Sequence, residues 1–240
     1  MILCLDAGNT RLKWGVHHGG RWQLQGACAH ADSGDLATGL PAGIERILAC
    51  NVAGSETEQR IEALAASLGV PLEWFMSTAA CCGVTNGYDD PARLGADRWA
   101  ALIGARSLHR GPALVVMAGT ATTIDVLDAQ GVFRGGLILP GLDLMRRSLA
   151  RNTAGLPDAK GVYRDIPTNT DDAIESGAVH ATLGAIERMT EAACRFAGAD
   201  ICVLLSGGAA GALAPHLGLP ARQVEYLTLE GLAVAATSSS

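Results

Sequence analysis

Positive charge is scarce in this chain: Lys and Arg number 18 against 24 Asp and Glu, for a formal net charge of −6, and only 18% of residues are charged at all. The electrostatic attraction that drives binding to nucleic acid is therefore missing. No stretch approaches the roughly 18 uncharged apolar residues of a membrane helix, and Asp6 interrupts the opening run Met1–Leu5. A cytoplasmic protein without membrane or nucleic-acid partners is expected. The seven cysteines are odd in number and contain no C-x-x-C pair, which fits neither a secreted disulfide framework nor a zinc site. Histidines 17, 18, 30, 109, 180 and 216 lack metal-ligand spacing, and no Ser or Cys stands in a nucleophile elbow, so covalent catalysis has no support.

What the chain does have is apolar content, 49% of 240 residues, enough for a sizeable core. Its start reads as three hairpin-linked strands. Ile2–Leu5 is an apolar run, Gly8-Asn9 breaks it, and Leu12, Trp14 and Val16 alternate with Arg11, Lys13 and Gly15 at the period of a half-buried strand. A helix is expected around Ile44, then a strand from Ile47 to Val52. Ser55 with Glu58 reads as a capping box for a helix to about Leu68, ended by Gly69. A strand over Leu72–Met76 and a long alanine-rich helix over Leu94–His109 follow. The vicinal Cys81-Cys82 reads as a loop or as a redox pair.

After Gly111-Pro112 the opening pattern returns. A shift of 111 positions places Gly8 on Gly119, Ala7 on Ala118 and Asp6 on Met117, keeping the glycine turn while losing the carboxylate. Strands at Ala113–Met117 and Ile124–Leu127, a third after Gln130-Gly131, a helix from Gly141, a loop over 152–169, a long helix over Thr170–Phe196 and a strand over Ile201–Leu205 complete the second half. The closing 237–240 reads as a frayed tail. This pattern predicts two α/β lobes, residues 1–110 and 111–240, with a cleft between them.

Phosphoryl transfer needs donors for the phosphates, a carboxylate for Mg²⁺ and a group to take the proton of the attacking hydroxyl. Asp6, Ala7, Gly8, Asn9, Thr10, Arg11, Leu12 and Lys13 supply a carboxylate at a strand end, a glycine where backbone can approach a ligand, and a lysine in the next strand. The same turn also suits an ordinary β-hairpin. Ala118–Asp125 repeats the arrangement with hydroxyls at Thr120, Thr122 and Thr123 and a carboxylate at Asp125, which could hold Mg²⁺ or cap a turn. Gly135–Gly141 and Ser206-Gly207-Gly208 suit either phosphate binding or close backbone packing. In Gly95-Ala96-Asp97-Arg98, Asp97 could accept a proton and Arg98 could bind a carboxylate; the pair could equally be an exposed ion pair.

Taken in order, Asp6–Lys13, the run from Asn86 to Trp99, Gly119–Asp125, Gly135–Gly141, Asn169-Thr170 and Ser206-Gly207-Gly208 resemble the type III pantothenate kinases, nearly end to end. That family belongs to the superfamily of acetate and sugar kinases, heat-shock ATPases and actin. The resemblance implies a duplicated actin-like (ribonuclease H-like) ATPase core with the nucleotide between two lobes. It also implies phosphorylation of pantothenate by ATP with Mg²⁺, the first step of coenzyme A biosynthesis, in a homodimer. The first hairpin, Asp6 to Lys13, and Thr122 would bind ATP, with Asp6 and Asp125 serving Mg²⁺. Tyr88, Gly95, Ala96, Asp97, Arg98 and Thr170 would bind pantothenate, and Asp97 would be the general base. Many members hold K⁺ or NH₄⁺ with an aspartate where this chain has Met117, a poor ligand for a hard cation, so weak or no potassium activation is expected.

Three other readings compete, and one of them, a chaperone-like ATPase that transfers phosphate to water, would lack a purpose for Asp97 and Arg98. A kinase for another small alcohol would share the fold but has no use for the acceptor-site segment Tyr88–Arg98. A transcriptional regulator keeping only the fold would need a basic patch or recognition helix, which the sequence does not offer.

Overall fold

The computed structural model describes residues 1–158 and 160–238 as two compact units. The first comprises 1–110, 131–134 and 226–240, and the second 111–130 and 135–225.

The first unit opens with the three strands the alternation predicts: β1 (Ile2–Ala7), β2 (Leu12–His18) and β3 (Arg21–Cys28). β1 pairs antiparallel with β2, placing Asp6 opposite Lys13. The chain then makes a one-turn helix, α1 (Leu36–Gly39), and passes through Ile44 without forming the helix expected there. Ile44 instead packs from a coil against the core of Leu3, Leu5, Ile47 and Leu64. β4 (Arg46–Asn51) lies parallel to β1, setting Cys50 beside Asp6. α2 (Ser55–Leu68) has the expected bounds, and Gly69 closes it at φ 66, a left-handed conformation that glycine adopts without side-chain strain. Its start differs from expectation: Gly54 is the N-cap and Ser55 already lies in the helix, so no side-chain cap bond forms. β5 (Leu72–Trp74) completes the sheet order β3-β2-β1-β4-β5.

A small hairpin, β6 (Ala80–Cys81) and β7 (Val84–Asn86), turns through Cys82 and Gly83 at φ 51 and 78. Two successive positive-φ residues match the twist of the flanking strands. Cys81 and Cys82 thus form a strand end and a turn, with free thiols whose sulfurs lie 3.3 Å apart. α3 (Ala96–Leu108) is the alanine-rich helix, and Trp99–Ala105 are buried.

The second unit repeats the topology. β8 (Ala113–Ala118) and β9 (Ala121–Leu127) are antiparallel. β10 (Val132–Pro140) begins within the first unit, where Val132 and Phe133 pair in parallel with Thr85 and Asn86. α4 (Leu142–Asn152) and α5 (Thr170–Ala197) follow; the Asn169 side chain caps α5 by accepting from Asp172 N. β11 (Cys202–Ser206) runs parallel to β8, and after the short α6 (Ala210–Leu213), β12 (Ala221–Gln223) runs parallel to β11. Within this unit the order is β12-β11-β8-β9-β10, the mirror of the first unit's listing and the same connectivity.

The chain ends in α7 (Leu227–Ser238), which belongs to the first unit. Thr237 and Ser238, expected to fray, finish this helix; Ser239 and Ser240 lie outside the described residues. α7 packs on α3 through two glycines: a Cβ on Gly104 would overlap the Leu227 carbonyl, and one on Gly231 would overlap that of Ala100. No helix among the described residues is long and apolar enough to cross a membrane.

Candidate active site

Four polar groups converge where β1 and β4 end and β2 and α3 begin, all within the first unit. Asp6, 1% exposed, accepts from Lys13 Nζ at 3.0 Å on one oxygen and from the Cys50 thiol at 3.6 Å on the other. The sequence dictates this: Lys13 and Cys50 are its cross-strand neighbours on either side. Burial opposes the Lys13 charge, yet the Asp6 carboxylate holds its ammonium above the usual range, and Asp97 adds to the effect. Burial, together with the charges of Asp6 and Asp97, pushes the Cys50 thiol well up, so it stays a neutral donor.

Asp97 sits in the first turn of α3. Its Oδ1 accepts from the Arg98 backbone N–H at 2.8 Å, and the helix N-terminus favours its negative charge. Gly95 makes this fold-back possible, because a Cβ there would stand 2.7 Å from Asp97 Oδ1. Burial raises the Asp97 pKa, the nearby Asp6 charge raises it further, and the Arg98 amide works against both. Ala96 is buried beneath the turn. The alternative of an exposed pair does not hold, because Arg98 is 5% exposed; its Nη1 donates to Tyr88 Oη at 2.8 Å. The guanidinium lies over two rings, 5.6 Å from the centre of Tyr88 and 5.7 Å from that of Phe133. Tyr88 is set by Asn86, whose Oδ1 accepts from the Tyr88 N–H while its Nδ2 donates to Ser77, Thr78 and Pro91.

The turn between β1 and β2 is open. Asn9, Thr10 and Arg11 are exposed, and a Cβ on Gly8 would meet nothing nearer than the Arg11 carbonyl at 3.6 Å. Packing therefore does not demand glycine there. His30 Nε2 donates to the Gly8 carbonyl at 2.7 Å and Arg11 to Ala27 O at 2.9 Å, fixing the turn from outside. Ala7 and Leu12 are core residues that frame it.

In the second unit, Thr122 is 1% exposed, and its Oγ1, like that of Thr123, has no protein hydrogen-bond partner. A buried hydroxyl left unsatisfied is costly, so both mark a place where a ligand could bond. Asp125 is buried with Gly136 packed against its carboxylate. The glycine-rich junctions prove largely to be packing devices. A Cβ on Gly141 would overlap the Gly119 carbonyl, and one on Gly207, at φ 100, would overlap that of Ala118; Gly208 and Gly135, the latter at φ 108, face open space. Met117 occupies the position equivalent to Asp6, half-buried and opposite Thr123. Thr170, the first residue of α5, lines a cavity of about 530 Å³ with Met145, Leu149, Leu156 and Ile174.

Phe133 and Cys50 were not legible as site residues. Phe133 lies in no motif, and only its place opposite Asn86 in the ladder brings it to Arg98. Cys50 could have been found from the β1–β4 register once parallel pairing was assumed.

The duplicated topology defines the class: an actin-like α/β core. Solved structures share it along their whole length, among them a Campylobacter jejuni protein described as a Baf family transcriptional activator (TM-score 0.64, 18% identity, 99% of this chain and 98% of that one). Another is a Sinorhizobium meliloti protein described as a 2-dehydro-3-deoxygalactonokinase (TM-score 0.61, 15% identity, 100% and 99%). The family model for type III pantothenate kinase matches residues 2–192. Curated relatives of that name include those of Aromatoleum aromaticum, 54% identical with 98% of each chain covered, and Dechloromonas aromatica, 50% identical with 97% of each covered. The chain belongs to the type III pantothenate kinase family.

Proposed function

We propose that this protein transfers the γ-phosphoryl group of ATP to the primary hydroxyl of pantothenate, giving 4'-phosphopantothenate and ADP, with Asp97 as general base. The observation that carries the catalytic assignment is Asp97 itself: a carboxylate folded over the start of α3, raised in pKa by burial and by Asp6, beside a buried arginine. A raised pKa makes the carboxylate a stronger base.

Asp97 takes the hydroxyl proton as the acceptor oxygen bonds to the γ-phosphorus and the bond from that phosphorus to the β,γ-bridging oxygen breaks. The electron pair leaves with ADP, and the proton passes from Asp97 to solvent. Arg98, planar and permanently charged, holds the pantothenate carboxylate with Tyr88 beside it. The Gly95–Arg98 backbone and Thr170 complete the acceptor contacts. The open turn from Gly8 to Arg11, framed by Ala7 and Leu12, and the hydroxyl of Thr122 hold the ATP phosphates, with Lys13 adding positive charge.

Asp6 and Asp125 are buried carboxylates, hard oxygen donors. That suits Mg²⁺, which binds through one or two carboxylates plus phosphates and water. Mg²⁺ supplies neutralisation of charge on the β- and γ-phosphates. Met117 does not fit a potassium or ammonium site, and no step depends on a monovalent cation. We read the two lobes as built around 1–110 and 111–225, with the closing helix α7 belonging to the first. The protein acts as a cytoplasmic homodimer; exposed Leu144, Leu149, Val162 and Ile166 support an apolar contact surface in the second unit.

The test is product identification. Incubation with MgATP and pantothenate should yield one phosphomonoester on the primary hydroxyl, seen by ³¹P NMR and mass spectrometry, with equimolar ADP. Phosphorylation of 2-dehydro-3-deoxygalactonate or another sugar in place of pantothenate would overturn the acceptor.

A further inference from the structure

Arg98 is an unusual ligand group because its charge is buried against aromatic carbon. Its guanidinium rests 5.7 Å from the centre of the Phe133 ring and 5.6 Å from that of Tyr88, and the two rings lie 5.3 Å apart at 34°. Tyr88 contributes both a face and a hydroxyl acceptor, while Phe133 contributes only a face. The Phe133 ring cannot move aside: it is fully buried, its backbone is locked to Asn86 of β7, and Gly87 lies so close that a Cβ there would overlap the Phe133 carbonyl.

We propose that Phe133 is a positioning residue for pantothenate binding, a rigid platform that fixes the plane of the Arg98 guanidinium so that its outward edge meets the substrate carboxylate. An aromatic face stabilises a cation and orients it without neutralising it. A carboxylate in its place would compete with the substrate. An aliphatic side chain would fill the volume and leave the guanidinium plane unset. The inference rests on the reading of Arg98 as the carboxylate anchor.

The experiment compares Phe133→Leu with enzyme in which Phe133 is replaced by mono-, di- and trifluorophenylalanine, which keep the ring's shape while draining its negative face. KM for pantothenate should rise about 10-fold in Phe133→Leu and climb stepwise with fluorine number. kcat and the KM for ATP should stay within about twofold, inside the tenfold that 1.4 kcal/mol represents. The carboxamide analogue of pantothenate, lacking the anionic carboxylate, should show no such series. A KM for pantothenate that ignores fluorination, or a rise of equal size for the carboxamide, would overturn the platform. Arg98→Met separates the two readings. If it leaves the pantothenate KM unchanged, the anchor itself is wrong. If it raises that KM while the fluorinated enzymes behave as wild type, the anchor stands and Phe133 is only packing.

Discussion

The two copies of the five-stranded topology differ in chemistry at the turn between their first two strands. In the first copy, Ala7 pairs with Leu12 and residues 8–11 form an open turn backed by Asp6, Lys13 and the Cys50 thiol. In the second, Ala118 pairs with Thr122 across the shorter turn 119–121. There the turn is backed by Met117 and the unpartnered hydroxyls of Thr122 and Thr123, and packed against Gly141 and Gly207. One scaffold has thus been used twice, once to gather charge and once to build a neutral, close-packed cradle. Fold alone does not assign the chemistry; the side chains at equivalent positions do.

The sharpest way to break this comparison is to exchange the roles of the equivalent positions. Asp6→Asn should lower kcat by about 10²-fold or more, the usual cost of removing a key electrostatic group. Met117→Leu should change steady-state rates less than about threefold, as a volume-conserving swap does. Equal losses would show that the second turn is as reactive as the first.

Glycine gives a second contrast. Gly141→Ala forces a side chain into the Gly119 carbonyl and should cost about 1–3 kcal/mol, a loss of roughly 2–12 °C in Tm by calorimetry. Gly8→Ala meets only ordinary contacts in the protein, so its Tm should hold while KM for ATP rises about tenfold, the equivalent of 1.4 kcal/mol.

The pH profile reads the first site directly. Because the Asp97 pKa is raised by burial and by Asp6, and the proposed base is its ionised form, kcat/KM should fall as pH drops through a value above the ordinary aspartate pKa of about 3.9. The sign for stability is opposite. A carboxyl with a raised folded-state pKa contributes stability below its unfolded pKa, and this is lost as pH rises through the folded one. The ionised group therefore costs stability at neutral pH, and Asp97→Asn should unfold about 2–4 °C higher than wild type at pH 7, as for a gain of roughly 1 kcal/mol.

The smallest effect concerns potassium. Exchanging Na⁺ for K⁺ should alter the wild-type rate by less than about twofold, because a thioether does not ligate hard cations. A steep potassium dependence would remove the distinction drawn at Met117.

Much of this is legible in the amino-acid sequence. Alternation in Leu12–Val16, the glycine stop at Gly69 and the recurrence of Gly8 at Gly119 mark elements whose signals are local. The missed parts are non-local. α7 is buried on nearly every side, with Leu227, Leu229, Leu232, Ala233 and Ala236 all enclosed, so it shows no amphipathic period to read. The Ser55/Glu58 pattern is a fair capping signature that Gly54, at φ 93, pre-empts. At the site, Asp97 and Arg98 stand out as an acid and a base at a glycine-led helix start. Nothing in the sequence says that Arg98 is buried between Tyr88 and Phe133, because Phe133 arrives from a strand that pairs only in the fold.

The most direct measurement is ADP release from MgATP, with and without pantothenate, for wild type and Asp97→Asn. Release that depends on pantothenate and falls about 100-fold or more in a variant that remains folded is the predicted result. Release that ignores pantothenate, or survives in Asp97→Asn, would contradict the assignment of this site.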